Sequence, residues 1–360
     1  MSTLVESLIR ATPDLRSRFP GGVRIVADDL TGACDAAVAF LGQMDVRVWL
    51  DAQAGCAAPE MAQAFTTNSR DLSARDAAAV TRRAFAIFAE RHDLLTFKKI
   101  DSCMRGPVVA EIIAAHEALD TKAVVMSPGF PAAGRVVKDG VLTILSEDGI
   151  RSLELHTFFP EELQASVVFA RGKDDIERGF KNGKTIFLCD AQQQSDLEEM
   201  VAWDTDKVLF AGSAGMAFAL AGVQPGAAIG EKLPHCGKAL IVCGTNHPVT
   251  LRQVEALKQE TSDAVLLSIQ AEVEDAPAIR DSFADVQPEA LVLTGGDTAL
   301  LVLKTLEADS ILLKGEFAAG IPWGIVQGGK AHGCVVVTKS GGFGAADTLV
   351  RLVRAMEEKE

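Results

Sequence analysis

The sequence predicts an α/β protein of two domains, each a mostly parallel sheet flanked by helices, and three observations carry that prediction. Short apolar runs of strand type alternate with helix-length segments along the whole chain, the pattern of largely parallel sheets. Many of these runs end in polar or glycine-rich turns that open a helix. A stretch rich in Gly and Ala with two prolines, Gly222–Gly237, interrupts the pattern before it restarts, which divides the 360 residues into 1–230 and 231–360.

Composition narrows the function class. Hydrophobic residues make up 48%, enough for sizeable cores, and a net charge of −14 argues against nucleic acid or an acidic lipid surface as the main partner. The seven cysteines include no C-x-x-C pair, as expected in a reducing cytoplasm. The N-terminus lacks the apolar core of a signal peptide, and no apolar run is long enough to span a membrane. Cytoplasm is the expected location; a homodimer is left open.

Residues 1–22 read as a helix and a Pro-Gly-Gly turn. A strand then ends in two adjacent acids, Asp28 and Asp29, and Thr31-Gly32 turns into an Ala-rich helix through Leu41. Strands follow at 45–50 and 62–67, the second ending in Thr67-Asn68-Ser69-Arg70. Ser73 caps a helix that runs to about His92, with Asp76 three residues on in a weak capping box. The strand at 94–100 ends in Lys98-Lys99-Ile100-Asp101-Ser102, and alternation puts Lys99 and Asp101 on one face and Lys98 on the other. Arg105-Gly106-Pro107 leads into a helix at 108–119. A strand at 123–126 feeds a Pro/Gly loop that ends at Arg135; the boundaries over 140–180 are poorly marked. A strand at 184–190, a helix at 195–203, a strand at 207–210 and a helix opened by Gly212–Gly215 complete the first half.

The second half repeats the grammar. Strands at 239–243, 264–269, 290–293 and 334–338 each precede a helix, and no element is assigned to 307–333. Three of these strands run into the turns Gly244-Thr245-Asn246-His247, Gly295-Gly296-Asp297-Thr298 and Lys339-Ser340-Gly341-Gly342-Phe343-Gly344. Free N–H groups at a helix N-terminus attract phosphate, although any one such turn can be mere turn geometry. Lys339 adds a cation that could meet a phosphate, and Asp297 could hold Mg²⁺ or simply cap its helix. Gly179–Thr185 imitates a phosphate-binding P-loop but has three residues between its glycines where four are needed, and it precedes a strand. The histidines show no metal-ligand spacing, so no metal held by the protein alone is expected.

The strand ends of the first half carry a different chemistry. Asp28, Asp29, Arg70, Lys99, Asp101, Ser102, Arg105 and Arg135 would gather along one edge of a parallel sheet. Arginines there suit a two-pronged grip on a carboxylate, and acids suit hydroxyl recognition or proton abstraction. The plainer reading is a set of ion pairs and helix caps.

The run 27–35, the 67–70 turn, Lys99–Gly106, Phe130-Pro131 with Gly134-Arg135, and the turns at 295–298 and 339–344 together resemble the four-carbon acid sugar kinases. Departures stand at Cys103-Met104, where the family commonly has Thr-Leu, and at Thr245-Asn246-His247, where it commonly has Ser-Cys-Ser. The resemblance implies an acid-sugar domain at 1–230, a nucleotide domain at 231–360 and an active-site cleft between them. It implies ATP-dependent, Mg²⁺-assisted phosphorylation of the terminal hydroxyl of threonate, erythronate or an oxo-tetronate. Asp29, Asp101 and Lys99 are then expected at the chemistry, with Asp28, Arg70, Ser102, Arg105 and Arg135 around the sugar. Gly244, Thr245, His247, Gly295, Gly296, Asp297, Thr298, Lys339, Gly341, Gly342 and Gly344 are expected around the nucleotide. Domain closure is expected about the 222–237 linker. A sensor of the same fold that binds without turnover is the alternative. A nicotinamide-dependent dehydrogenase lacks its G-x-G-x-x-G fingerprint.

Overall fold

The structure, a computed structural model, describes residues 15–51, 61–146, 149–203, 208–260 and 264–358. Most of the expected N-terminal helix lies outside these residues, as does Cys56. Helix α1 (Leu15–Arg18) leads to β1 (Val23–Ala27), α2 (Leu30–Ala37), β2 (Val46–Trp49) and β3 (Ala62–Thr66). Next come α3 (Ala74–Ala86), β4 (Leu95–Lys99), α4 (Val108–Ala118) and β5 (Ala123–Ser127). The region the sequence left poorly marked begins with a separate antiparallel sheet of β6 (Arg135–Lys138), β7 (Val141–Ser146) and β8 (Gly149–Glu154). Then follow α5 (Glu161–Gln164), β9 (Val167–Ala170), α6 (Lys173–Lys181), β10 (Ile186–Cys189), α7 (Gln194–Val201), β11 (Val208–Gly212) and α8 (Ala214–Ala221).

The second half begins with β12 (Ala239–Cys243), α9 (Pro248–Lys258), β13 (Val265–Ser268) and α10 (Ala276–Val286). It continues with β14 (Ala290–Thr294), α11 (Gly296–Thr305), a hairpin of β15 (Ser310–Ala318) and β16 (Ile321–Gln327), β17 (Val335–Lys339) and α12 (Thr348–Glu357). The hairpin occupies the stretch to which periodicity assigned nothing. Two register shifts, at Leu313/Gly315 and Glu316/Ala318, break the alternation that would mark β15 in the sequence.

The sheets of the two halves join edge to edge. One fourteen-stranded sheet runs β13-β12-β14-β17-β16-β15-β2-β3-β1-β4-β11-β5-β10-β9. From β2 to β9 every pairing is parallel, and so is every pairing from β13 to β17. The hairpin lies between the blocks and pairs antiparallel on both sides. Central strands such as β5 and β14 are buried along their whole length, which is why they read as nearly continuous apolar runs and not as alternation.

The 222–237 segment is tied down. The Glu231 N–H donates to Lys314 O at 2.7 Å, and Gly230 bridges to Gly315 of β15. A hinge at this segment must therefore bend the hairpin as well. The P-loop imitation resolves as expected: α6 ends at Lys181 and Gly183 takes φ +76°.

Helix α2 sets the relation between the halves. Its sequence, LTGACDAA, is built from small residues and is almost wholly buried, so it lies close on the sheet. It packs against β1 and β3 of its own half and against α11, β16 and β17 of the other. Among the described residues no helix is long and apolar enough to cross a membrane.

Candidate active site

A cleft of about 1250 Å³ receives residues from both halves. The first half presents Asp29, Asp35, Arg70, Lys99, Asp101 and Arg105. Against them stand the three glycine turns of the second half: Gly244–His247, Gly295–Thr298 and Ser340–Gly344.

Asp29 is both a helix cap and a cleft residue. Its Oδ1 accepts from the Gly32 N–H at 2.9 Å, which caps α2, and its Oδ2 accepts from the Thr31 hydroxyl at 2.7 Å. Arg70 adds a fork, Nη1 to Oδ2 at 3.0 Å and Nη2 to Oδ1 at 2.9 Å. Burial opposes the charge, but Arg70, Lys99 and the Thr31 hydroxyl outweigh it and hold the Asp29 carboxyl below its ordinary range.

Asp101 is similarly engaged. It accepts from the Cys103 and Arg105 N–H groups, and Arg105 grips it from Nε at 3.0 Å and Nη2 at 2.7 Å. Burial again opposes ionisation, and Arg105 and Arg70 hold the acid far down. The sequence expectation placed Asp29 and Asp101 at the chemistry, one of them to bind and orient the terminal hydroxyl, and left the base open among Asp28, Asp29 and Asp101. Both Asp29 and Asp101 border the cleft, but an acid whose oxygens already accept several charge-assisted hydrogen bonds is a weak base.

Asp28 also departs from expectation. It is 2% exposed and stands behind the cleft, where Oδ2 receives Arg70 Nε at 2.7 Å. Strand alternation explains the split between neighbours: one acid holds the arginine and the other faces the cavity. Lys99 borders the cleft and donates to Ile100 O at 2.8 Å, while Lys98 points the other way, as alternation predicted. Ser102 and Arg135 line the same space, and the Arg135 guanidinium lies 5.3 Å from the centre of the Phe343 ring.

The second half's turns are packed too closely for side chains. A Cβ at Gly341 would meet Thr245 Oγ1 at 2.8 Å, and one at Gly342 would meet His247 Nε2 at 3.0 Å. Gly295 takes φ +99°, a left-handed value that glycine adopts without strain. His247 caps α9, its Nδ1 accepting from the Val249 N–H at 3.3 Å.

Lys339 requires a correction. Its side chain is fully buried, and Nζ donates to Thr250 Oγ1 and Ser340 O at 3.0 Å and to Phe343 O at 3.3 Å. The ammonium therefore holds the 340–344 loop in shape from behind. Burial lowers its pKa to about 8.

The two sides touch at the ends of two helices. Thr31 in the first turn of α2 reaches Ser340 Oγ at 3.2 Å. A Cβ at Gly296, the first residue of α11, would clash with the Asp29 carboxylate. Gly296→Ala is therefore expected to force the halves apart, costing about 1–3 kcal/mol as overpacking does. A lowered urea midpoint would report it.

Several cleft residues escaped the sequence reading. Asp35 closes the 27–35 run that carries the family resemblance but is assigned no site role; it lies one turn beyond Thr31 on the same face of α2, a spacing of four that could have marked it as a cleft residue. Leu145 and Arg151 come from β7 and β8, and Gln270 and Ala271 from the loop after β13. Nothing local in those segments signals a site.

Two family models match parts of the chain. The model of a sugar-binding N-terminal domain matches residues 23–154, and that of a nucleotide-binding C-terminal domain matches residues 276–349. A D-threonate kinase of Bordetella bronchiseptica is 30% identical, covering 94% of this chain and 98% of its own length. A 3-oxo-tetronate kinase of Methylobacterium radiotolerans is 26% identical, covering 92% of this chain and 98% of its own. The solved structure of Haemophilus influenzae protein HI1011 shares the fold, with a TM-score of 0.65 at 18% identity over 93% of this chain and 100% of that one. Similarity of this extent, together with the sugar-binding N-terminal and nucleotide-binding C-terminal matches, makes the chain a member of the four-carbon acid sugar kinase family.

Proposed function

We propose that the protein transfers the γ-phosphoryl group of ATP to the terminal hydroxyl of a four-carbon sugar acid. One observation carries this reading: a single cleft is lined on one side by a carboxylate-gripping set of Arg and Lys and on the other by three turns that can cradle phosphates. The names of the relatives, D-threonate and 3-oxo-tetronate kinases, support a tetronate as acceptor.

Phosphoryl transfer asks the protein mainly for positioning and charge stabilisation. Arg105, which is half-exposed, and Arg135 with Ser102 stand where a sugar carboxylate can be held. Lys99 brings a positive charge to the wall of the cleft, where it can offset negative charge that develops in the transition state. The glycine turns of the second half would bind the nucleotide through backbone N–H groups, and the closely packed halves would keep out water that would otherwise waste it.

The residues present fit Mg²⁺ carried in on the phosphates. Among the described residues no three acids, histidines or cysteines form a cation cage. Asp297 in the first turn of α11 is the acid beside the nucleotide turns, and burial, with Asp71 and Asp29 nearby, raises its pKa. One such carboxylate with phosphates and water suits Mg²⁺, which would neutralise phosphate charge there.

The test is ADP release from ATP and Mg²⁺ with D-threonate, D-erythronate and a 3-oxo-tetronate. At least one acid is expected to raise ADP well above the acid-free blank. Blank-level ADP from protein that unfolds cooperatively would refute the reading.

A further inference from the structure

Asp35 has no part in the ion-pair network around Arg70. It lies on α2 one turn beyond Thr31 and borders the cleft. Its Oδ1 is buried and has no hydrogen-bond partner among the described residues. A buried carboxylate oxygen without a partner is costly, and where one is kept a functional reason is expected. The contrast with its neighbours is chemical. Asp29 and Asp101 have both oxygens engaged by arginine and N–H or O–H donors. Asp28 has a free Oδ1 but stands behind the cleft.

The surroundings suit proton transfer. Lys99 of β4 and Arg135 of β6 bring positive charge toward Asp35, and Asp29 at the start of α2 brings negative charge. Glu316 of β15 is the further acid within electrostatic reach. Phe343 of the glycine loop covers Arg135, and Thr31 meets Ser340 of the same loop. Asp35 therefore stands at the seam where the sugar side and the phosphate side converge. Burial raises its pKa to about 6, against the pull of Lys99, so it is a better base than its neighbours and still ionised at neutral pH.

We propose that Asp35 is the general base of the reaction, a role that rests on the kinase reading above. The Asp35 carboxylate, through the oxygen that borders the cleft, accepts the proton of the terminal hydroxyl as that hydroxyl oxygen forms a bond to the γ-phosphorus of the nucleoside triphosphate, and the unpartnered Oδ1 behind it leaves the charge free to do so. The bond from that phosphorus to the β,γ-bridging oxygen breaks, and the electron pair leaves with the nucleoside diphosphate. The proton on Asp35 passes to water when products leave.

The experiment is steady-state ADP release by the full chain between pH 5 and 9, for wild type, Asp35→Asn and Asp35→Ala. Wild-type kcat/KM is expected to fall on the acid side with a limb near pH 6, since protonated Asp35 cannot accept. Both variants should lose kcat by roughly 10²–10⁴-fold, keep KM for ATP and acid within a few-fold, and lose that limb. Their melting temperature at pH 7.5 should not fall below wild type, because Asp35→Asn removes the charge on a buried, unpartnered oxygen and Asp35→Ala removes the oxygen itself. A kcat within fivefold of wild type in either variant, or a loss confined to KM, overturns the role of Asp35. Wild-type protein without acid-dependent ADP release would instead overturn the kinase reading, and this role with it.

Discussion

Replacing Arg70 by Gln is expected to cost about 3–5 kcal/mol of stability, the usual consequence of removing one partner from a buried ionic cluster. Arg70 is 18% exposed and touches three carboxylates that are 2–5% exposed: Asp28, Asp29 and Asp101. Without the guanidinium these charges have no comparable compensation, since Arg105 serves only Asp101 and Lys99 donates to a carbonyl. The pH dependence gives the prediction a second edge. In the wild type Asp29 and Asp101 are held below their ordinary values, so their contribution is present above about pH 4 and is lost as pH falls through the lower folded values. In Arg70→Gln the burial of Asp28 and Asp29 is no longer offset, so their folded values rise above the unfolded ones, while Arg105 still holds Asp101 down. The variant is then helped, not harmed, as pH falls toward 5. Urea unfolding at pH 7.5 and pH 5 should show the gap to wild type narrowing, and a gap of constant size would refute the account. Activity should be lost at both pH values, because Asp29 caps the helix that carries Thr31 and Asp35 into the cleft.

The same residues show what a sequence can and cannot disclose. The strands, the turns and most helix starts were legible because their causes are local. Ser73 and Asp76 form the expected capping pair, and Lys98 and Lys99 diverge as strand alternation requires. The gathering of Asp29, Arg70, Lys99, Asp101 and Arg105 was legible too, since parallel strands bring their carboxyl ends to one edge. Roles within that gathering were not. Whether an acid is a base or an anchor depends on how many donors reach it, and Asp101 is consumed by an arginine only four residues away. The sequence suits Lys339 to a phosphate, but its side chain lies beneath its own loop, and the charges that face Asp35, from β4 and β6, are set by tertiary packing that no local pattern discloses. The β15–β16 hairpin, which welds the two sheets together, is specified by docking against β2 and β17 and leaves no clean period in the chain.

Lys98 and Glu111 separate stability from function. Both side chains are essentially without solvent contact, with Nζ and Oε2 2.9 Å apart. Glu111 Oε1 also accepts from the Ser69 hydroxyl, and Ser69 bonds Thr67 Oγ1 at 2.7 Å. The pair thus lies behind the 67–70 turn that presents Arg70 to the acids. Lys98→Met alone leaves a buried carboxylate without its cation and is expected to cost about 3–5 kcal/mol. The double variant Lys98→Met with Glu111→Leu replaces the pair by apolar groups of similar size, and should recover most of that loss, since such replacements are often neutral or better. Catalysis should not recover in step. Ser69 loses its acceptor, the turn loosens, and Arg70 no longer holds Asp29 in one place. The expected signature is a double variant with near-wild-type unfolding and a kcat still reduced at least tenfold. If stability and kcat return together, the Ser69 link carries no positioning role. If neither returns, the ion pair itself, and not its satisfaction, is what the fold requires at that site.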